Sequence, residues 1–151
     1  MIVVADASVL VTALTQFNKE GNELRTWLSN LSQGGPVDIV QNLTKLEFLS
    51  ALRRLNLSDA IGDDLAEDAI RNFGQLPHRA HGVTQPMAIR AWELRENLTV
   101  CDAAYVALVE KLLSTEGEAL LATSDAKLAK APGLSIPIET FIARPKSPNG
   151  I

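Results

Sequence analysis

The sequence holds little cysteine, little basic charge and no long apolar run, and each shortage removes a class of protein. Cys101 is the one cysteine in 151 residues. No disulfide can close within the chain, and nothing points to an oxidising compartment. No apolar stretch approaches the ~20 residues that a membrane helix needs. The N-terminus is apolar but carries Asp6 and lacks a basic leader, so it does not read as a signal peptide. The expected location is therefore cytoplasmic, with no membrane partner. Lys and Arg number 14 against 18 Asp and Glu, a net charge of −4. A chain that grips nucleic acid through a broad basic surface reads the other way. Any phosphate binding here has to rest on local positive charge or on a bound metal ion. The two histidines, His78 and His81, cannot complete a zinc site with one cysteine. P-loop, GxGxxG and nucleophile-elbow motifs are all missing.

What is present is a rhythm of short apolar runs and amphipathic stretches. Residues 2–5 read as a buried strand, continuous rather than alternating. The run SVLVTALTQF reads as a helix that Ser8 can cap, and a second helix is expected from Glu20 to Leu31. After the breaker SQGGP, VDIV is a plausible strand. TKLEFLSALRRLNL is a strong amphipathic helix, and SDAIGDDLAEDAIRNFGQL another, opening on Ser58. HRAHGV reads as a short strand. PMAIRAWELREN starts a helix with Pro86 near its first turn. CDAAYVALVEKLL is helical, ALLAT a strand, SDAKLAKA a short helix and LSIPIET a last strand. Strands separated by helices imply an α/β fold, a mainly parallel sheet of about five strands with helices on both faces. The expected domain is 1–142, with 143–151 a flexible Pro-rich tail.

In open parallel sheets, ligands bind beyond the carboxyl ends of the strands. Asp6 and Asp125 stand at two such ends. Each also reads as a helix N-cap, with Ser8 the rival at the first position and Thr123 and Ser124 at the second. Asp102 heads an apolar stripe through Tyr105, Val106 and Val109, but Thr99-Val-Cys-Asp102 is also a capping-box pattern. Glu47 poses the same choice: it lines up with Ala51 and Leu55, and Thr44-Lys-Leu-Glu47 is again a box. The two roles are compatible, because an acid in a first helical turn is kept ionised by the dipole, and a metal ligand must be ionised. Asp59, Asp63, Asp64, Glu67 and Asp68 read as a solvated face. Carboxylates gathered in a cleft repel one another, and a hard divalent cation removes that conflict.

The segments IVVADASVLVTAL, LEFLSALRR, LTVCDAAYVALVE and LATSDAKLAKAPG, in that order, resemble the PIN domains, and among them the VapC-type ribonuclease toxins of toxin–antitoxin pairs. The likeness covers nearly the whole chain. It implies a three-layer PIN-like fold and an endoribonuclease dependent on Mg²⁺, with Mn²⁺ as the substitute. It places the acidic cluster on Asp6, Glu47, Asp102 and Asp125, with Asp6 and Asp102 as the most direct metal ligands. It implies an RNA substrate, a small antitoxin partner and a homodimer, for which Phe48 and Trp92 are candidate apolar anchors; packing of both helices into the chain's own core is the alternative. Cys101 stands where this group often has Tyr, and reads as a small buried apolar residue. Arg53 and Arg54 read as surface residues, with phosphate contact as the alternative. The rival functions are a PIN-fold nuclease outside a toxin–antitoxin pair and a PIN fold used only for binding.

Overall fold

A computed structural model describes residues 1–142; the expected flexible tail, 143–151, lies outside them. Five strands run along the chain, β1 Val3–Ala5, β2 Val37–Val40, β3 His78–His81, β4 Leu120–Thr123 and β5 Ile138–Thr140. They form one sheet in the order β3-β2-β1-β4-β5, with every pairing parallel. Helices α1 Ala7–Thr15, α2 Lys19–Ser32, α3 Leu43–Leu57, α4 Asp63–Gln75, α5 Gln85–Glu93, α6 Val100–Glu116 and α7 Ala126–Ala129 fill the connections. This is the expected three-layer α/β fold, one parallel sheet with helices on both faces. No described helix is long and apolar enough to cross a membrane.

The pleat divides the core in two. Val3, Ala5, Val37, Ile39, Leu120 and Ala122 point to one face, where they pack with Val9, Leu10, Leu28, Phe48, Ala69 and Phe73 from α1–α4. Val4, Val40 and Leu121 point to the other, against α5, α6 and α7. The central strands β1 and β4 are buried on both faces, which is why they read as continuous apolar runs. Helix α6 runs through the middle of the second layer, with Ala103 to Val109 all buried. It ends at Gly117, whose φ of 82° is the left-handed turn that closes a helix cheaply only with glycine.

Several elements differ from their sequence reading. Helix α1 is capped by Asp6, whose side chain accepts from the Val9 amide, not by Ser8. The stretch from Ser58 does not open a helix: Ser58 closes α3, and α4 begins at Asp63 after Gly62. Its acids, and Asp59, are exposed as expected. Phe48 is not a surface anchor; it is 1% exposed and stacks on Phe73 with centroids 4.8 Å apart. Trp92 does face solvent, 63% exposed, beneath the Arg95 guanidinium.

One buried charge went unread. Asp38 lies in β2 with no exposed surface. Its Oδ1 accepts from Arg79 Nε and Nη2 at 3.1 and 3.0 Å, and its Oδ2 lies 2.6 Å from His81 Nε2. The parallel register sets Asp38 opposite Arg79 and Val40 opposite His81, so all four share one face of the sheet edge. A buried carboxylate is tolerable only with such partners.

The turn between α1 and α2 brings the Gly21 backbone against Gln16 with no room for a side chain. A Cβ on Gly21 would overlap the Gln16 carbonyl, and the Gly21 amide is held at 2.9 Å by the α2 cap Asn18. Gly21→Ala is expected to cost about 2–3 kcal/mol through forced backbone displacement, read as a lower midpoint in denaturant unfolding with an unchanged m-value.

Candidate functional site

Parallel pairing decides where the acids meet. Val3, Val4 and Ala5 pair with Leu120, Leu121 and Ala122, so Asp6 emerges beside Thr123 as both strands end. The Asp6 amide still donates to the Ala122 carbonyl at 3.2 Å, which locks the backbone there. The Thr123 hydroxyl then donates to Asp6 Oδ2, and the Ser8 hydroxyl to Oδ1. The Asp125 amide donates to Thr123 Oγ1 at 3.0 Å, and the Ser124 amide to Ser8 Oγ at 2.9 Å. Asp125 caps α7, accepting from Lys127 and Leu128 in place of its rivals Thr123 and Ser124. Ser124 Oγ is buried without a partner.

The other two acids arrive on helices, Asp102 in the first turn of α6 and Glu47 one turn into α3. Helix α3 follows β2 and α6 begins at Thr99, whose side chain accepts from the Asp102 amide at 3.2 Å. Asp102 thus sits in a first turn capped by Thr99 and also lines the cavity. The box expected at Thr44–Glu47 does not form. The α3 cap is Asn42, which makes no side-chain capping bond, and Thr44 instead accepts from the Val40 amide. Glu47 is released to the cavity, where its Oε1 lies 2.7 Å from the Tyr105 hydroxyl; Thr44 Oγ1 lies 3.0 Å from the same hydroxyl. Tyr105 carries no functional signal in the sequence beyond its place three residues after Asp102 on the buried stripe.

All four acids line one cavity of about 310 Å³, together with Ser8, Ala51, Arg54 and Tyr105. They surround it rather than close on a point: among the described residues no three acid, His or Cys side chains converge as a ready-made ligand set. Cys101 is exposed at the head of α6, contrary to the buried residue expected. Burial, Glu47 and Asp102 all push its thiol pKa up, away from thiolate chemistry.

The cavity is electrostatically strained without a cation. Burial raises the Asp6 carboxyl to about 6 against the lowering pull of its Ser8, Thr123 and Val9 hydrogen bonds. Glu47 is raised by burial and then by Asp102, although the Tyr105 bond lowers it. Asp102 is raised by burial and then by Asp125, with the Thr99 bond and Lys127 opposing. Burial and the same acids push Tyr105 above its ordinary range and keep it a neutral donor. An all-oxygen donor set of mutually repelling carboxylates suits a hard divalent ion. Mg²⁺ keeps several waters and takes only one or two carboxylates directly, so an open arrangement fits it.

The chain is 33% identical over 136 residues to Ribonuclease VapC1 of Mycobacterium tuberculosis, spanning 90% of this chain and 95% of that protein. It is 33% identical over 129 residues to Ribonuclease VapC3 of the same organism, spanning 85% and 86%. A VapC ribonuclease of Mycobacterium bovis is 35% identical over 98 residues, 65% of this chain and 76% of that one. No family model matches the chain. In fold it superposes on a crystal structure of VapBC2 from Rickettsia felis bound to a DNA fragment from their promoter, with a TM-score of 0.63. The sequence identity there is 13%, over 93% of this chain and 99% of that one.

The buried carboxyl gives a signed pH prediction. Folded Asp6 holds its proton to about pH 6, against 3.8 as its ordinary value. Stability from this group is therefore full below about pH 4 and is lost as pH rises through 6, by roughly 3 kcal/mol. Asp6→Asn cannot ionise, but it loses one acceptor. In metal-free buffer it is expected to overtake the wild type by about 1–3 kcal/mol at pH 7.5, and to show no advantage at pH 4. Denaturant unfolding of both proteins at the two pH values measures the difference.

Proposed function

The chain belongs to the VapC family of ribonucleases, and from that premise we propose that it is a Mg²⁺- or Mn²⁺-dependent endoribonuclease acting as the toxin of a toxin–antitoxin pair. The observation that carries the reading is the cavity on which Asp6, Glu47, Asp102 and Asp125 converge from four separate elements. Capping accounts for Asp6, Asp102 and Asp125 locally, but not for Glu47. Burial first, and neighbouring acids second, raise Glu47 and Asp102.

Asp6 and Asp102 would hold the ion, with Glu47 and Asp125 completing the negative lining. Such an ion would supply positive charge against the phosphodiester and make water more acidic. Ser8 and Thr123 fix both oxygens of Asp6, so its carboxylate does not need to reorganise. Tyr105, kept protonated, orients Glu47 in the same way. Water attacks phosphorus as the bond to the 3′-oxygen breaks; the attacking water gives up one proton to solvent and the departing 3′-oxygen takes one from solvent. The products are a 5′-phosphate and a 3′-hydroxyl, since an external water makes the 2′-hydroxyl unnecessary as nucleophile.

The relatives' names support the ribonuclease chemistry, and the fold neighbour's VapBC assembly supports a protein partner. Trp92 and Ile89 on α5, 63% and 54% exposed, supply apolar surface for that partner or for a second copy of the chain.

Purified protein is expected to cleave total RNA with Mg²⁺ or Mn²⁺ and to stop in EDTA. Asp102→Asn is expected to lower the rate at least 100-fold with an unchanged far-UV spectrum. EDTA-resistant cleavage, or full activity in Asp102→Asn, would overturn the metal mechanism. Co-expression with the adjacent small gene, followed by size-exclusion chromatography with light scattering, is expected to yield a complex that no longer cleaves RNA. A monomer that co-purifies with no product of that gene would remove the toxin assignment.

A further inference from the structure

The sequence places two arginines side by side on α3, and the structure treats them differently. Seven residues beyond Glu47, two helical turns bring Arg54 to within about 20° of the same face; Arg53, six residues on, lies about 120° away. Arg54 lines the acidic cavity and Arg53 does not. Between Glu47 and Arg54 the wall is Ala51, whose small side chain leaves the path along the helix open. A long helical side chain leans back toward the helix N-terminus, which carries Arg54 over Ala51 toward the acids.

An arginine on the wall of a cavity with four carboxylates would ordinarily pair with one of them. Arg54 does not: it makes no ion pair among the described residues. Its backbone stands about 10 Å along α3 from Glu47. The guanidinium pairs with none of the acids and keeps its fork of donors for an anion. Net negative charge makes such a local cation more consequential, since the chain has no surplus of basic residues to draw RNA in.

Resting on the ribonuclease reading above, the structure assigns Arg54 as a subsite for a backbone phosphate flanking the scissile one. It sets the register of the strand across the cavity. It is a positioning residue and takes no part in bond breaking. Arg53 serves as the internal control, with the same charge on the same helix but off the cavity.

The test has two arms. Cleavage of total RNA is followed against RNA concentration for wild type, Arg54→Ala, Arg54→Lys and Arg53→Ala. Binding of a mixed-sequence single-stranded RNA is measured by anisotropy across a salt series with Mg²⁺, each arginine variant being placed in the cleavage-silent Asp102→Asn background. Arg54→Ala is expected to raise KM and Kd about tenfold while kcat stays within about threefold. Its log Kd against log salt slope should fall by about 0.7, the value for one phosphate contact on a single strand. Arg54→Lys should keep the slope, and Arg53→Ala should change neither. Equal effects at Arg53 and Arg54, an unchanged slope in Arg54→Ala, or a collapse of kcat at constant KM would each overturn the subsite. Failure of the ribonuclease reading shows separately, as unaltered protein that cleaves no RNA with Mg²⁺, and it removes the subsite as well.

Discussion

Two hydroxyls hold Asp6, and one strand register holds the hydroxyls. Thr123 reaches the carboxylate because β1 and β4 pair in parallel with Ala5 opposite Ala122, and Ser8 reaches it from the first turn of α1. A slip of one residue in that register would turn Thr123 to the opposite face and bury an acid with no partner for one of its oxygens. Those same central strands carry the apolar core on both sides. Core packing and acid placement are thus one constraint, and neither can drift without the other.

The acidic edge is a place where folding and function pull apart. Burial makes Asp6, Glu47 and Asp102 harder to ionise, and neighbouring acids add to this at Glu47 and Asp102. Helix starts soften that cost: Asp6, Asp102 and Asp125 all lie in or just before a first turn, where the backbone amides favour negative charge. Capping is what makes a cluster of acids tolerable at this edge of the sheet.

The architecture was legible because buried parallel strands and amphipathic helices leave different periodicities. The breaker SQGGP and Pro86 mark boundaries that the structure keeps, between α2 and β2 and at the start of α5. The misreadings have local causes. Thr44 and Glu47 match a capping box by spacing, but Asn42 with φ 67° starts the helix and both side chains turn inward. Ser58 resembles an N-cap by type, yet the chain first needs the turn through Asp59 and Gly62. Cys101 was judged by residue type and Phe48 by helix position, and neither criterion reports depth. Asp38 was missed because a single polar residue in VDIV carries no sign of the Arg79 and His81 that sequence places some forty residues away. The choice between Arg53 and Arg54 needed the direction of a helix face, which spacing from Glu47 supplies only once Glu47 is known to face the cavity.

The Asp38–Arg79–His81 cluster has a bearing on how the sheet ends. β3 is an outer strand, and an outer strand exposes backbone groups that can recruit another chain into the ladder. It is four residues long and carries Arg79, tethered to a buried charge, so an added strand would have to lie along a polar, cationic margin. At the opposite margin β5 has three residues, one of them Glu139. Both borders of the sheet therefore discourage extension and amyloid-like stacking. The exposed apolar side chains Ile89 and Trp92 lie on a helix, away from either border.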